Sequence, residues 1–566
     1  MDVKKILAII IILLVCFTAG CSEIPEEVKE IDSETEIIEE EIMDEIFDFN
    51  AIKFTDKNVL PERGAYIPWK RIEAENGETN GKILSGVKFG LVSCEASERS
   101  YVELKNTNEF VEVVSPMDCD RIIVRYGLEK GEDGTLCLYV NGELSQVLEL
   151  SSFHTGWTEM DRQGRNEPMS RMMRCFEDLI ITQNVASGDV IKLQKNADNT
   201  ASVYRIDFIE FEKRPDMEEM PNDGNWVSIL EYGVANDGIT DVTADFDTAV
   251  YRANKSGKNL WLDEGEYLIS ETIEIPDGMD IAGAGMWYSV IIKDSEAEAN
   301  GMKALRLGGN NVCKDLKITE KNGNMRINGN EGIIFSNNCI IDSVWVENTF
   351  GAGIITHGGK NNQILNCRVR GTYADSIHIA QISSNNVIRN NTIRNSGDDG
   401  IAFIAYDSVG MENNIAINNT VEVSPYARGM TIAGGNGNQL LNNVILDTAH
   451  CSGILVTVEN YANRKTQYCT DFVVRNNDLI RTGMTNNGAY GGLWVWGYVE
   501  TPLEGVIEGN RIIDPVMHVM TFTGVNTQED VIVQNNILGK PGSGGQLYVK
   551  WDNANPSIGE NEVLKD

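Results

Sequence analysis

The sequence predicts an all-β protein in two parts: a right-handed parallel β-helix preceded by a β-sandwich. Three observations predict it. Asn390-Asn391-Thr392-Ile393, Asn418-Asn419-Thr420-Val421, Asn442-Asn443-Val444-Ile445, Asn476-Asn477-Asp478-Leu479 and Asn535-Asn536-Ile537 recur along the second half, with a degenerate copy at Gly509-Asn510-Arg511-Ile512. Each is followed by a second apolar segment opening on Gly or Ser, among them SIHIA, GIAFI, GMTIA, GILVT and GLWVW. In the first half, short segments alternate apolar and polar residues between turn signals.

Residues 1–21 read as an export signal. Lys4 and Lys5 precede an apolar run from Ile6 to Phe17, too short to span a membrane, and then Thr18-Ala19-Gly20-Cys21. Small residues before a cysteine resemble the lipobox of bacterial lipoproteins. That resemblance implies lipidation of Cys21 and a place on the outer face of the cell membrane. Residues 22–64 read as an acidic tether: Ser22 to Phe49 holds thirteen acids and one lysine, and like charges at that density stay solvated.

The net charge is −37. Such a surface lacks the basic stripe that phosphates or uronates need, which excludes nucleic acid and favours a neutral polymer. The eleven cysteines include Cys16 and Cys21 in the signal. Cys313, Cys339 and Cys367 fall in similar slots of successive repeats, where a small buried side chain fits. A monomer is expected.

Residues 65–213 form the sandwich. Tyr101-Val102-Glu103-Leu104, Phe110 to Val114, Arg121 to Tyr126 and Leu136 to Val140 alternate with period two. RIEAENG (Arg71 to Gly77), Asp120 to Glu143 and YRIDFIEFE (Tyr204 to Glu212) resemble the calcium-containing, lectin-like carbohydrate-binding modules of glycanases. The resemblance implies that Glu73, Glu75 and Asp207 hold a structural calcium. Alternate residues of one strand do point to one side, and calcium takes hard oxygen ligands. Tyr66, Trp69, Phe153, His154 and Trp157 are available as sugar-stacking aromatics, and none is assigned.

Residues 214–225, charged and bracketed by Pro215 and Pro221, form a linker. The β-helix occupies 226–566. A helix over roughly Thr243 to Ala253 precedes a strand at Leu260-Trp261-Leu262 and resembles the cap of pectate-lyase-like β-helices. Beyond it, a repeat of about two dozen residues with Asn at a fixed turn is the mark of a solenoid. Asn tolerates the left-handed turn conformation, and stacked Asn side chains can bond one another.

The second strands set a register. With Ile377, Ile401, Met430, Ile454 and Leu493 level and inward, the residues two places earlier are Asp375, Asp399, Arg428, Ser452 and Gly491. Coils lie about 4.8 Å apart, so Asp375 and Asp399 should stack, with Asp398 beside them. Like charges so close raise one another's pKa, which suits general acid catalysis near neutral pH. Glycoside hydrolysis needs such a set, one carboxyl to protonate the leaving oxygen and others to activate water. His378, Arg428, Trp494 and Trp496 are candidates for contact with substrate.

TYADSIHI (Thr372 to Ile379) and NSGDDGIAF (Asn395 to Phe403), behind the sandwich, resemble the bacterial α-1,3-glucanase and mycodextranase family of glycoside hydrolases. The resemblance implies an inverting hydrolase of a neutral α-glucan, with Asp375, Asp398 and Asp399 as catalytic acids and no catalytic cofactor. Asp398 would be the proton donor, and Asp375 and Asp399 would hold the attacking water. Polygalacturonases carry Gly-His-Gly and Arg-Ile-Lys beyond their acids; PYARGMTIAGG (Pro425 to Gly435) has neither, which argues against pectin. Two alternatives remain: a calcium-dependent polysaccharide lyase with Arg428 as base, and a non-catalytic glycan-binding adhesin.

Overall fold

A computed structural model describes residues 52–53, 58–88, 90–155, 174–294, 301–406, 410–461, 464–484 and 490–565. The export signal with Cys21, most of the acidic tether, and Trp157 lie outside the described residues. The chain divides into Met1–Ala51 and Ile52–Asp566, and the second unit holds both expected parts.

The front part is a sandwich of antiparallel strands. One sheet orders Glu177–Val185, Cys119–Gly127, Tyr204–Glu212, Ser100–Leu104 and Lys82–Ser85, with Trp69–Glu73 also paired to Tyr204–Glu212. The other orders Glu143–Ser151, Asp133–Val140, Val190–Gln194, Phe110–Val114 and Glu78–Thr79. Their alternate apolar residues, among them Val102, Val111, Ile122, Leu138, Ile191 and Ile209, close on one core.

From Trp226 the strands of the solenoid pair in parallel. The helix Thr243–Lys255 buries Phe246, Ala249, Val250 and Ala253 on the first coils, covering an apolar end that would otherwise face water. One coil runs Gln363–Leu365, Arg368–Arg370 and Ile377–Ala380, and the next runs Val387–Arg389, Thr392–Arg394 and Ile401–Ile404. The third strands of the coils make an eleven-stranded parallel sheet.

The asparagine pairs divide their labour. The first of each pair, at Asn390, Asn418, Asn442, Asn476 and Asn535, turns the chain at φ between 52° and 57°. The second joins a buried ladder from Asn391 through Asn419, Asn443, Asn477, Asn510 and Asn536 to Asn561, each amide nitrogen donating to the next oxygen. A second ladder joins Asn362, Asn386, Asn414 and Asn438. Leaving one such buried amide unpaired would cost about 1–3 kcal/mol, so these positions fix the register of the coils. Cys339 and Cys367 stand at the head of the two ladders, where their amides donate to Asn362 and Asn391. All three side chains lie in the core, and Cys313 differs only in lying on a strand.

The two parts meet across buried charge. Arg368 pairs with Glu212, Arg394 with Glu210, and Arg71 reaches both Glu210 and Glu422. Trp69 is buried against the guanidinium groups of Arg368 and Arg370. The expected end of the tether is docked too: Arg63 pairs with Asp478, and the amide of Leu60 donates to the same carboxylate.

Candidate active site

The strands of the long sheet place the acids. Ile377, Ile401, Met430, Ile454 and Leu493 are in register from coil to coil, as the spacing predicts. Asp375 and Asp398 to Asp399 lie in the turns entering the first two of these strands. One carboxylate oxygen from each lies within 4.8 Å of the other two, and all three residues are buried. The main-chain amide of Asp399 donates to Asp375 Oδ1 at 2.9 Å.

Each acid has its own basic partner. Asp375 Oδ2 is 2.7 Å from His378 Nδ1, Arg326 Nη1 donates to Asp398 Oδ2, and Arg428 Nη2 donates to Asp399 Oδ2 at 2.8 Å. The amide of Arg428 also bonds Asp399 Oδ1. Burial pushes the Asp399 carboxyl up to about 7; Arg428 opposes this, and the charges of Asp398 and Asp375 add to it. Burial weighs against protonated His378, but Asp375, with Asp399 and Asp398 behind it, holds its pKa above the usual value. The same balance raises Arg326 and Arg428: burial opposes their charge, and the aspartates outweigh it. Asp399, held up to about 7, can take or give a proton near neutral pH, while Arg326 and Arg428 stay charged beside the acids.

The remaining predicted residues fall in varied places. His378, expected on the open substrate face, is instead buried, because its ring turns back onto Asp375. Arg428 serves Asp399 and also contacts Thr431 Oγ1 at 3.2 Å. Trp494 and Trp496 stack at 5.1 Å between Tyr490 and Tyr498, forming an aromatic row along one strand. Trp494 is largely covered and bonded to Thr523, whereas Tyr498 is exposed. Arg326 escaped the sequence reading: it lies far upstream in the turn between Val312–Glu320 and Ile333–Phe335, and no motif marks it.

In the sandwich, Glu73, Glu75 and Asp207 share one buried neighbourhood. Burial raises Glu73, and Glu75 and Asp207 push it further; Glu75 is raised to about 7 by burial, with Asp207 adding. Asp207 also pairs with Arg125 and accepts from the amide of Ser97. Glu73 Oε2 and Glu75 Oε2 are buried without a hydrogen-bond partner, which is the chemistry a hard cation would satisfy.

Comparison with known proteins agrees with this layout. Residues 66–214 match the family described as α-1,3-glucanase catalytic domain D1. Over the length of the front domain this is a match to the α-1,3-glucanase family. On that ground the protein is a glycoside hydrolase. Residues 226–454 of this D1-bearing chain match the rhamnogalacturonase A/epimerase, pectate lyase-like family, and 346–563 the right-handed β-helix region. The fold is shared with the catalytic unit of a GH87 α-1,3-glucanase from Streptomyces thermodiastaticus, at 22% identity and TM-score 0.76, covering 89% of this chain and 98% of that one. The Agl-KA catalytic domain matches at 20% identity and TM-score 0.76, covering 90% and 100%. A GH87 α-1,3-glucanase catalytic domain solved with nigerose matches at 24% and 0.72, covering 89% and 99%. No curated protein sequence matches the chain.

Proposed function

We propose that the protein hydrolyses a neutral α-glucan, most simply α-1,3-glucan, with Asp375, Asp398 and Asp399 as its catalytic acids. The observation that carries this reading is the meeting of the three carboxylates within 4.8 Å at the entrance to two neighbouring strands. Its support from relatives is specific. Structures of GH87 α-1,3-glucanases carry single Asp-to-Ala changes at positions twenty-three residues and then one residue apart. The same spacing separates Asp375 from Asp398 and Asp398 from Asp399.

Asp398 is assigned as proton donor, because it stands beside the stacked pair rather than within it. Asp375 and Asp399 then share the attacking water. The family likeness implies inversion. Inverting carboxyls commonly lie roughly 6.5–9.5 Å apart, so Asp398 has to swing off Arg326 toward the scissile oxygen to open that gap. The aromatic row ending at Tyr498 offers faces for the apolar side of a pyranose ring.

One observation favours a second division of roles. Asp399 is the acid held up to about 7, the range expected of a group that donates a proton at neutral pH. A hydrolysis assay followed by proton magnetic resonance tests the main reading. Fresh α-1,3-glucan oligosaccharides should give β-configured reducing ends first, and α-configured ends would exclude inversion.

Calcium is assigned to Glu73, Glu75 and Asp207 as a structural ion. Lipidation at Cys21 would hold the enzyme on the outer face of the cell membrane, as the leader sequence implies.

A further inference from the structure

The strongest unexplained feature is the grip of the sandwich on the two turns that carry the acids. Asn395 opens the turn leading to Asp398 and Asp399, at φ 58°. Its side chain reaches away from the solenoid: Oδ1 accepts from Arg125 Nη2 at 2.7 Å, and Nδ2 donates to Phe176 O at 3.5 Å. Arg125 is wholly buried on the strand Cys119–Gly127 and is held by Asp207 and by the carbonyl of Glu95. Its position is therefore set by the sandwich.

The turn of Asp375 is held from the same side. Arg174 Nη1 donates to Gly371 O at 2.8 Å, and the Tyr373 hydroxyl donates to His154 O at 3.2 Å. The two turns touch each other. Ser376 and Ser396 bond through their hydroxyls at 2.8 Å, and a Cβ on Gly397 would come within 2.4 Å of the Tyr373 backbone. No side chain fits there, so a shift in one turn is passed to the other.

We propose that the sandwich is a working part of the active centre, and that Asn395, gripped by Arg125, is a positioning residue for Asp398 and Asp399. A docked module with only a glycan-binding task would have no need to reach these turns. Its aromatic Trp69 is buried in the joint between the domains, not presented to solvent. The inference rests on the proposed hydrolase reading of the three aspartates.

The test uses Asn395→Gly in the full chain. Glycine keeps the left-handed turn and removes only the side chain that Arg125 holds. On α-1,3-glucan, kcat should fall about 10- to 100-fold, as displacements near 1 Å do, with KM unchanged, while the melting temperature falls modestly because the buried Arg125 Nη2 loses its acceptor. Asn395→Asp restores an acceptor for Arg125 and should recover most of the rate. A folded Asn395→Gly enzyme with wild-type kcat would overturn the proposal. So would a loss of rate that Asn395→Asp does not recover. If Asn395→Gly does not fold, Tyr373→Phe takes its place: it removes only the hydroxyl bonded to His154, and an unchanged kcat again overturns the proposal. An Asp398→Asn control separates the two levels. Activity retained there would fell the hydrolase reading itself, whereas a dead Asp398→Asn beside a fully active Asn395→Gly would fell the positioning role alone.

Discussion

The main-chain amide of Asp399 donates to the carboxylate of Asp375 across one coil of the solenoid, at 2.9 Å. That bond ties the backbone of one acid to the carboxylate of the other, so the two neighbouring coils hold the pair together. The third, Asp398, pairs through its carboxylate with Arg326, and in the proposed role that carboxyl meets the glycosidic oxygen.

That difference is measurable with an aryl α-glucoside whose leaving group departs without a proton. Asp398→Asn should hydrolyse it at a rate near wild type while failing on glucan. Asp375→Asn and Asp399→Asn should fail on both, since the attacking water still needs its base. If Asp399→Asn is the variant spared by the aryl substrate, the donor is Asp399.

Stability should rise as the solution is made mildly acidic. Burial lifts Glu75, Glu95, Glu177 and Asp399 to about 7 and Asp207 to about 6. An acid whose folded pKa lies above its unfolded value contributes fully below the unfolded value, and that contribution is lost as pH rises through the folded one. His378, raised by its aspartates despite burial, acts in the same sense, while His154, pressed down to about 3 by burial and Arg174, opposes. The melting temperature should therefore be higher at pH 5.5 than at pH 7.5, both measured in chelator (these two pH values are about half a unit either side of the 6–7 range). Calcium should restore stability mainly at the higher pH, and Glu73→Gln with Glu75→Gln should remove that response. A melting temperature that rises with pH in chelator would contradict the assignment.

How much of this was legible in the sequence follows from what each feature depends on. The coil register was legible because the Asn turn and the apolar second strand recur locally, and from that register Asp375 and Asp399 fall one above the other. Arg326 was not legible, because its partner lies three coils on and the long turn that brings it there carries no repeat. His378 was read as outward from strand alternation, and the alternation holds; what alternation does not show is that an imidazole with a carboxylate three residues earlier folds back onto it. Trp69 has the composition of a sugar platform, but only the docked solenoid reveals that Arg368 and Arg370 cover it.

The aromatic row should act in binding. Trp496→Ala removes one member of a stacked pair, a contact of about 0.5–1.5 kcal/mol. KM on glucan should rise about 2- to 10-fold, the equivalent of that energy, with kcat little changed. An equal loss in kcat would place Trp496 in the chemistry instead.

The joint between the domains should be costly to break on one side only. Glu210 is fully buried among Arg71 and Arg394, and although burial favours its protonation, those guanidinium groups hold its carboxyl well below the usual range. Glu210→Gln removes the charge partner the two arginines share most closely and should destabilise the protein by about 3–5 kcal/mol, read from denaturant unfolding. A change too small to measure would mean that Glu422 and Asp178 suffice for both arginines.

The central claim is that three aspartates on two coils cleave a neutral glucan. Reducing-sugar release from α-1,3-glucan, compared between the wild-type protein and a folded Asp398→Asn variant, tests it most directly. Release by the wild type that drops to background in the variant is the expected result. Equal release by both, or none by the wild type, would contradict it.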